Sequence, residues 1–105
     1  MKLGRLKKLK GNDMTPKEEV YFLLEEFNSG NYTVKDFSEL FSFTYFRKIN
    51  TDELNKKEKR LYRELADMTD RFSPFEEDLK IPNMYFSESD VKQKAQVVFE
   101  ELFVK

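Results

Sequence analysis

The chain predicts an all-α fold, a compact antiparallel four-helix bundle, and three observations carry that expectation. Four stretches repeat apolar residues at helical spacing, and each opens on a recognisable capping residue. No stretch sustains the period-two alternation of a half-buried strand. The connections between the four patterns are short, which favours antiparallel neighbours. At 105 residues the chain is one domain's worth of sequence, long enough for a single core.

In the first pattern, Thr15-Pro16-Lys17-Glu18 forms a capping box with proline at the first helical position. Val20, Leu23, Leu24 and Phe27 follow at helical spacing, and Gly30 ends the run as a residue able to take positive φ. Thr33 with Asp36 opens the second helix, whose apolar positions are Val34, Phe37, Leu40, Phe41 and Tyr45 and whose end is near Asn50. Thr51 or Asp52 is expected to open the third, with Leu54, Leu61, Leu65, Met68 and Phe72 on one face. The basic run 55–60, NKKEKR, lies inside it, and Pro74 stops it. Ser87 with Asp90 caps the fourth, striped by Val91, Ala95, Val98 and Leu102 with Phe99 alongside.

Composition narrows the chemistry. Hydrophobic residues are 39% and charged residues 37%, so an ordinary core lies under a heavily charged surface. The 11 phenylalanines and 5 tyrosines make a ring-built core the natural expectation. Absence of cysteine removes disulfides and thiolate metal sites, and absence of histidine removes the usual general base and the commonest transition-metal ligand. The three glycines cannot furnish a phosphate cradle, and no G-x-S-x-G or H-E-x-x-H motif occurs. Catalytic residues, metal ligands and cofactors are therefore not expected.

The net charge of −1 conceals an asymmetry. Residues 1–13 carry Lys2, Arg5, Lys7, Lys8 and Lys10 against Asp13, whereas residues 14–105 hold 14 bases and 19 acids. Met14 opens MTPKEEV and reads as a second translation start, so the division is a basic tail over 1–13, disordered or an extended start, and a helical domain over 14–105. The tail has no apolar h-region, and no later segment is long enough to span a bilayer.

The stretch from Asp67 to Glu88 is the most distinctive. It gathers Asp67, Asp70, Glu76, Glu77, Asp78 and Glu88 against Arg71 and Lys80, is bracketed by Pro74 and Pro82, and is threaded with Phe72, Phe75, Tyr85 and Phe86. Its spacing is not that of a calcium-binding EF-hand loop. Glu88 and Asp90 complement the positive start of the fourth helix, but Asp67 and Asp70 oppose the dipole at the end of the third. A local conflict of that kind is kept where function compensates, and an anionic patch that attracts a basic partner is a sufficient function.

Two other features compete. Lys56, Lys57, Lys59, Arg60 and Arg63 form a basic face that could neutralise phosphates. The plainer reading is a solvated face with Glu53–Lys57 and Arg60–Glu64 pairs at i, i+4. In the aromatic run, Phe37, Phe41 and Tyr45 are expected in the core, while Phe43 and Phe46 fall off that stripe and can mark a contact surface.

The order of these elements resembles the colicin D-type bacterial immunity proteins, which include immunity partners of contact-dependent growth-inhibition toxins. The resemblance runs over residues 16–103: a helix ending in a glycine turn, FNSGNYTVKDFSELF; a third helix closing on Asp70-Arg71-Phe72-Ser73-Pro74; an acidic, aromatic linker; and a last amphipathic helix, SESDVKQKAQVVFEEL. It implies a small cytoplasmic helical bundle that binds a cognate toxin C-terminal domain and blocks its active site. Many such toxins are nucleases, tRNases among them, with basic clefts that an acidic surface can cover in place of the phosphate backbone. By position Asp70 matches the family's acid, and Glu76, Glu77 and Asp78 correspond loosely to its acidic linker. The expected partner surface is then Asp67, Asp70, Glu76, Glu77 and Asp78 for charge, with Phe75 and Tyr85 as anchors, and no membrane or direct nucleic-acid contact. The alternative is a small nucleic-acid-binding regulator using the tail and the basic face of the third helix.

Overall fold

The computed structural model describes residues 14–104, so the reading of 1–13 as a basic tail lies outside the described residues. Helix α1 (Pro16–Asn28) starts where the sequence signals it. Thr15 Oγ1 accepts from the Glu18 amide at 3.2 Å and Glu18 Oε1 accepts from the Thr15 amide at 2.9 Å. Two amides that have no partner inside the helix are thereby satisfied. The helix closes in a Schellman turn: the Gly30 amide donates to the Phe27 carbonyl at 3.0 Å and the Asn31 amide to the Glu26 carbonyl at 2.9 Å. Gly30 sits at φ 87°, where a Cβ would be strained. Asn31 Nδ2 also donates to the buried Glu26 carboxylate at 2.7 Å, which ties the turn to the helix it ends.

Helix α2 (Val34–Phe43) is capped by Thr33 and runs into a π-helical turn, Thr44–Lys48. Beyond it the structure departs from expectation. Thr51–Glu53 form a separate 3-10 turn, and α3 (Lys56–Asp70) begins only at Lys56. Asn55 is the true N-cap: its Oδ1 accepts from the Glu58 amide at 2.8 Å, and Glu58 Oε1 accepts from the Asn55 amide at 2.9 Å. This reciprocal box outcompetes a start at Thr51, because it satisfies two orphan donors at once. The basic run therefore occupies the first turns of α3 and not its interior. A four-residue helix α4 (Glu76–Leu79) interrupts the acidic linker, and α5 (Glu88–Phe99), boxed by Ser87 and Asp90, passes into a second π-helical turn over Glu100–Val104. No strand occurs among the described residues.

The four longer helices enclose one core. Helix α3 packs on α2 and α5, α1 packs on α2 and α5, and α2 also touches α5. Each expected stripe supplies it: Val20, Leu23, Leu24 and Phe27; Val34, Phe37 and Phe41; Leu61 and Leu65; Val91, Ala95 and Val98. Rings carry much of the contact. Phe27 stacks on Phe37 with centroids 4.1 Å apart, Phe37 tilts against Phe41 at 5.5 Å, and Phe41 meets Tyr62 edge-on at 6.2 Å. Leu40, expected on the buried stripe, is instead exposed, because α2 turns Val34, Phe37 and Phe41 inward and leaves Leu40 beside Phe22, Tyr32 and Phe43 on an open groove. Phe43 and Phe46 are exposed as well.

Phe37 is fully buried between two rings, so Phe37→Ala removes transfer energy and leaves a cavity that α1 and α2 can only partly close. The expected cost is about 3–5 kcal/mol, a large share of the roughly 5–15 kcal/mol that holds a domain folded. Urea unfolding checks it through a lower midpoint with little change in slope.

Candidate partner-binding surface

The linker between α3 and α5 folds into a loop closed at its base. The Phe86 amide donates to the Arg71 carbonyl at 2.9 Å and the Ser73 amide donates to the Phe86 carbonyl at 3.0 Å. These two bonds make an isolated parallel bridge between Phe72 and Phe86. Residues 73–85 thus leave and return at almost one point, the geometry of an Ω-loop.

Arg71 holds the closure from the side. Its Nη2 donates to Asp67 Oδ2 at 2.9 Å, its Nη1 donates to the Asn83 carbonyl at 3.3 Å, and its guanidinium lies over the Phe86 ring at 5.3 Å. One planar group therefore touches the helix end, the far side of the loop and the bridge residue, a combination that suits arginine and not lysine. Asn83, at φ 61°, takes the left-handed conformation that lets the loop reverse, one that asparagine tolerates better than most residues. Ser73 organises the near side: buried itself, it donates from Oγ to Asp78 Oδ2 at 2.7 Å and accepts the Phe75 amide at 3.1 Å.

What this frame presents is apolar as well as acidic. Phe75 is 64% exposed, and Leu79, Ile81, Met84 and Tyr85 are exposed with it. Glu76 and Glu77 are exposed beside them, and neither makes an ion pair among the described residues. Asp70 lies at the foot of the loop, in a depression of about 290 Å³ shared with Phe72, Pro74, Ser42 and Thr69. It too has no ion-pair partner among the described residues, and its charge stands at the negative end of α3, with Lys35 and Glu39 lining the same depression.

The seven residues singled out from sequence therefore divide. Asp70, Glu76 and Glu77 offer unpaired charge, and Phe75 and Tyr85 offer exposed rings. Asp67 and Asp78 are already engaged within the chain: Arg71 pairs with the first, which stays exposed, and the Ser73 hydroxyl donates to the second. Asp67 thus does not stand against the helix dipole uncompensated, since its partner is one turn away. Leu79, Ile81 and Met84 belong to the same surface, and their only signal in the sequence is position: Leu79 and Ile81 lie between the two prolines and Met84 just beyond the second. Among the described residues no three Asp, Glu, His or Cys side chains gather as metal ligands, and no helix is long and apolar enough to cross a membrane. No family model, curated protein or solved structure matches the chain.

Proposed function

We propose that this chain is an immunity protein, a non-enzymatic inhibitor that binds a cognate bacterial toxin domain in the cytoplasm and covers its basic active-site cleft. The fold is read with it as an antiparallel four-helix bundle that serves as a rigid base for one loop. The observation that carries the proposal is the clasped loop 73–85, which sets Phe75, Leu79, Ile81, Met84 and Tyr85 among the unpaired acids Asp70, Glu76 and Glu77. Exposed apolar groups inside an acidic rim fit the anatomy of a protein interface, with anchors at the centre and polar groups outside. A loop already closed before binding loses little conformational entropy on docking, which favours a slow off-rate. The acids add long-range attraction to a basic cleft. A nuclease, a tRNase among them, is the toxin class whose cleft is basic by necessity.

Mixed in equimolar amount with the toxin domain encoded beside it, the chain is expected to abolish that domain's nuclease activity. Phe75→Ala should leave folding intact and weaken the complex by about 2 kcal/mol or more, roughly thirtyfold in Kd, chiefly through a faster off-rate. A neighbouring domain that is bound with no loss of its activity, or a Phe75→Ala complex of unchanged lifetime, would sink this reading.

A further inference from the structure

The acidic loop occupies one end of α3, and the other end carries the opposite charge. Lys56, Lys59, Arg60 and Arg63 recur at i, i+3, i+4 and i+7, which places all four on a single face of the helix. They line one shallow depression of about 390 Å³, with Glu64 at its edge. Of the two pairs expected to solvate this face, one is formed and only loosely. Arg60 pairs with Glu64 at 4.0 Å, whereas Lys57 reaches across to Glu101 Oε1 at 3.3 Å and not to Glu53. Glu64 is held more closely by Lys94 at 2.6 Å, a hydrogen bond that keeps its carboxyl below the usual carboxylate range. Lys56, Lys59 and Arg63 make no ion pair among the described residues. Neighbouring cations on this face repel each other, and Lys56 and Lys59, in the first turn, also face the positive end of the helix.

We propose that this stripe is a binding site for the phosphate backbone of a nucleic-acid duplex, separate from the loop surface. Seven residues of helix rise span about 10 Å, and each strand of a duplex presents one phosphate per ~3.4 Å of axis, so about three consecutive phosphates of one strand can lie along the stripe. The two arginines can fork onto phosphate oxygens. The composition of the face selects against other occupants. Its helical neighbours Leu61 and Tyr62 are buried, so it offers neither the apolar anchor of a protein interface nor the apolar face that enters a lipid surface. It also has no aromatic platform on which a single strand would stack. Contact is therefore to backbone only, without base readout.

The test uses the full chain and the variant K59Q/R60Q/R63Q, which keeps residues 1–13 and removes three cations. Fluorescence anisotropy with a labelled duplex of about 20 base pairs, as DNA and as RNA, is followed from roughly 50 to 200 mM salt. The variant is expected to bind about tenfold more weakly or worse at the lowest salt, with the slope of log K against log salt reduced by about 3. Its melting temperature should not fall, because the substitutions relieve repulsion. Equal affinity and slope in the two proteins would place any duplex binding elsewhere and overturn the proposal. So would absence of duplex binding at the lowest salt, or binding only to vesicles rich in phosphatidylserine. No toxin enters the measurement, so its outcome is independent of the immunity reading.

Discussion

Arg71→Ala is expected to open the loop while leaving the helices folded. The side chain's contacts are to Asp67, the Asn83 carbonyl and the Phe86 ring, all outside the aromatic core, so its loss removes the clasp and little else. An exposed ion pair contributes about 0–1 kcal/mol and a partly exposed cation–π contact roughly 0.5–1 kcal/mol, so global stability should fall by only about 1–2 kcal/mol. The local effect is larger. Fixing one residue's backbone costs about 1–2 kcal/mol, and the bridge between Phe72 and Phe86 has only two hydrogen bonds with which to hold residues 73–85. Without the clasp that ordering is charged to the partner complex, whose affinity should drop by about a hundredfold or more. Hydrogen exchange reads the change directly: the Ser73 and Phe86 amides should lose protection while amides of Leu65 and Val98 keep theirs. Arg71→Lys should behave nearly as Ala, since an ammonium cannot satisfy three differently placed partners. Unchanged protection at Ser73 and Phe86 in Arg71→Ala would show that the loop closes without it.

The helices were readable because their signals are local. Thr15, Thr33 and Ser87 each place a side-chain oxygen three residues before the amide it caps, and the buried stripes repeat at the same short period. The misplaced start of α3 is instructive, because its cause is equally local. Asn55 and Glu58 form a capping box that stands in the sequence as plainly as Thr15 and Glu18, but the basic residues between them draw attention to charge instead. Because α3 starts at Lys56, the basic run 55–60 stands in its first turns.

The surface was half legible for the opposite reason. Acids between prolines identify a stretch of chain, yet whether each acid is free depends on partners. Asp67 and Arg71 lie at i, i+4 and so could be paired from sequence. The Ser73 bond to Asp78 and the meeting of Phe72 with Phe86 depend on how the loop closes, for which no periodicity exists. Exposure of Leu79, Ile81 and Met84 is a tertiary outcome too: α4 buries none of its residues, so apolar side chains that a longer helix would hide remain outside. Leu40 fails on the same ground, since helical spacing fixes a stripe's width but not which edge of it the neighbouring helices cover.

Asp70→Lys combined with Glu77→Lys should abolish toxin neutralisation by a protein that remains folded. Both carboxylates are exposed and unpaired among the described residues, so neither substitution strands a buried partner. At position 70 the change is favourable to the fold, because a cation at the end of α3 complements the helix dipole by about 0.3–1 kcal/mol where the aspartate opposes it. Stability and function are thus expected to move in opposite directions, and a rise or no change in melting temperature rules out misfolding as the cause. Against a basic cleft, each replacement exchanges attraction for repulsion. Charges at an interface rim act mainly on the on-rate, while desolvated ones cost about 2–5 kcal/mol, so the pair should raise Kd by about a thousandfold or more at low salt. High salt should narrow the gap by screening the repulsion. A control reversal of two exposed acids outside the linker, Glu53→Lys with Glu100→Lys, should leave neutralisation intact. Full protection by the folded Asp70→Lys, Glu77→Lys protein would mean that the acids at the foot and shoulder of the loop do not meet the toxin. The apolar residues 75, 79, 81, 84 and 85 would then have to carry recognition alone.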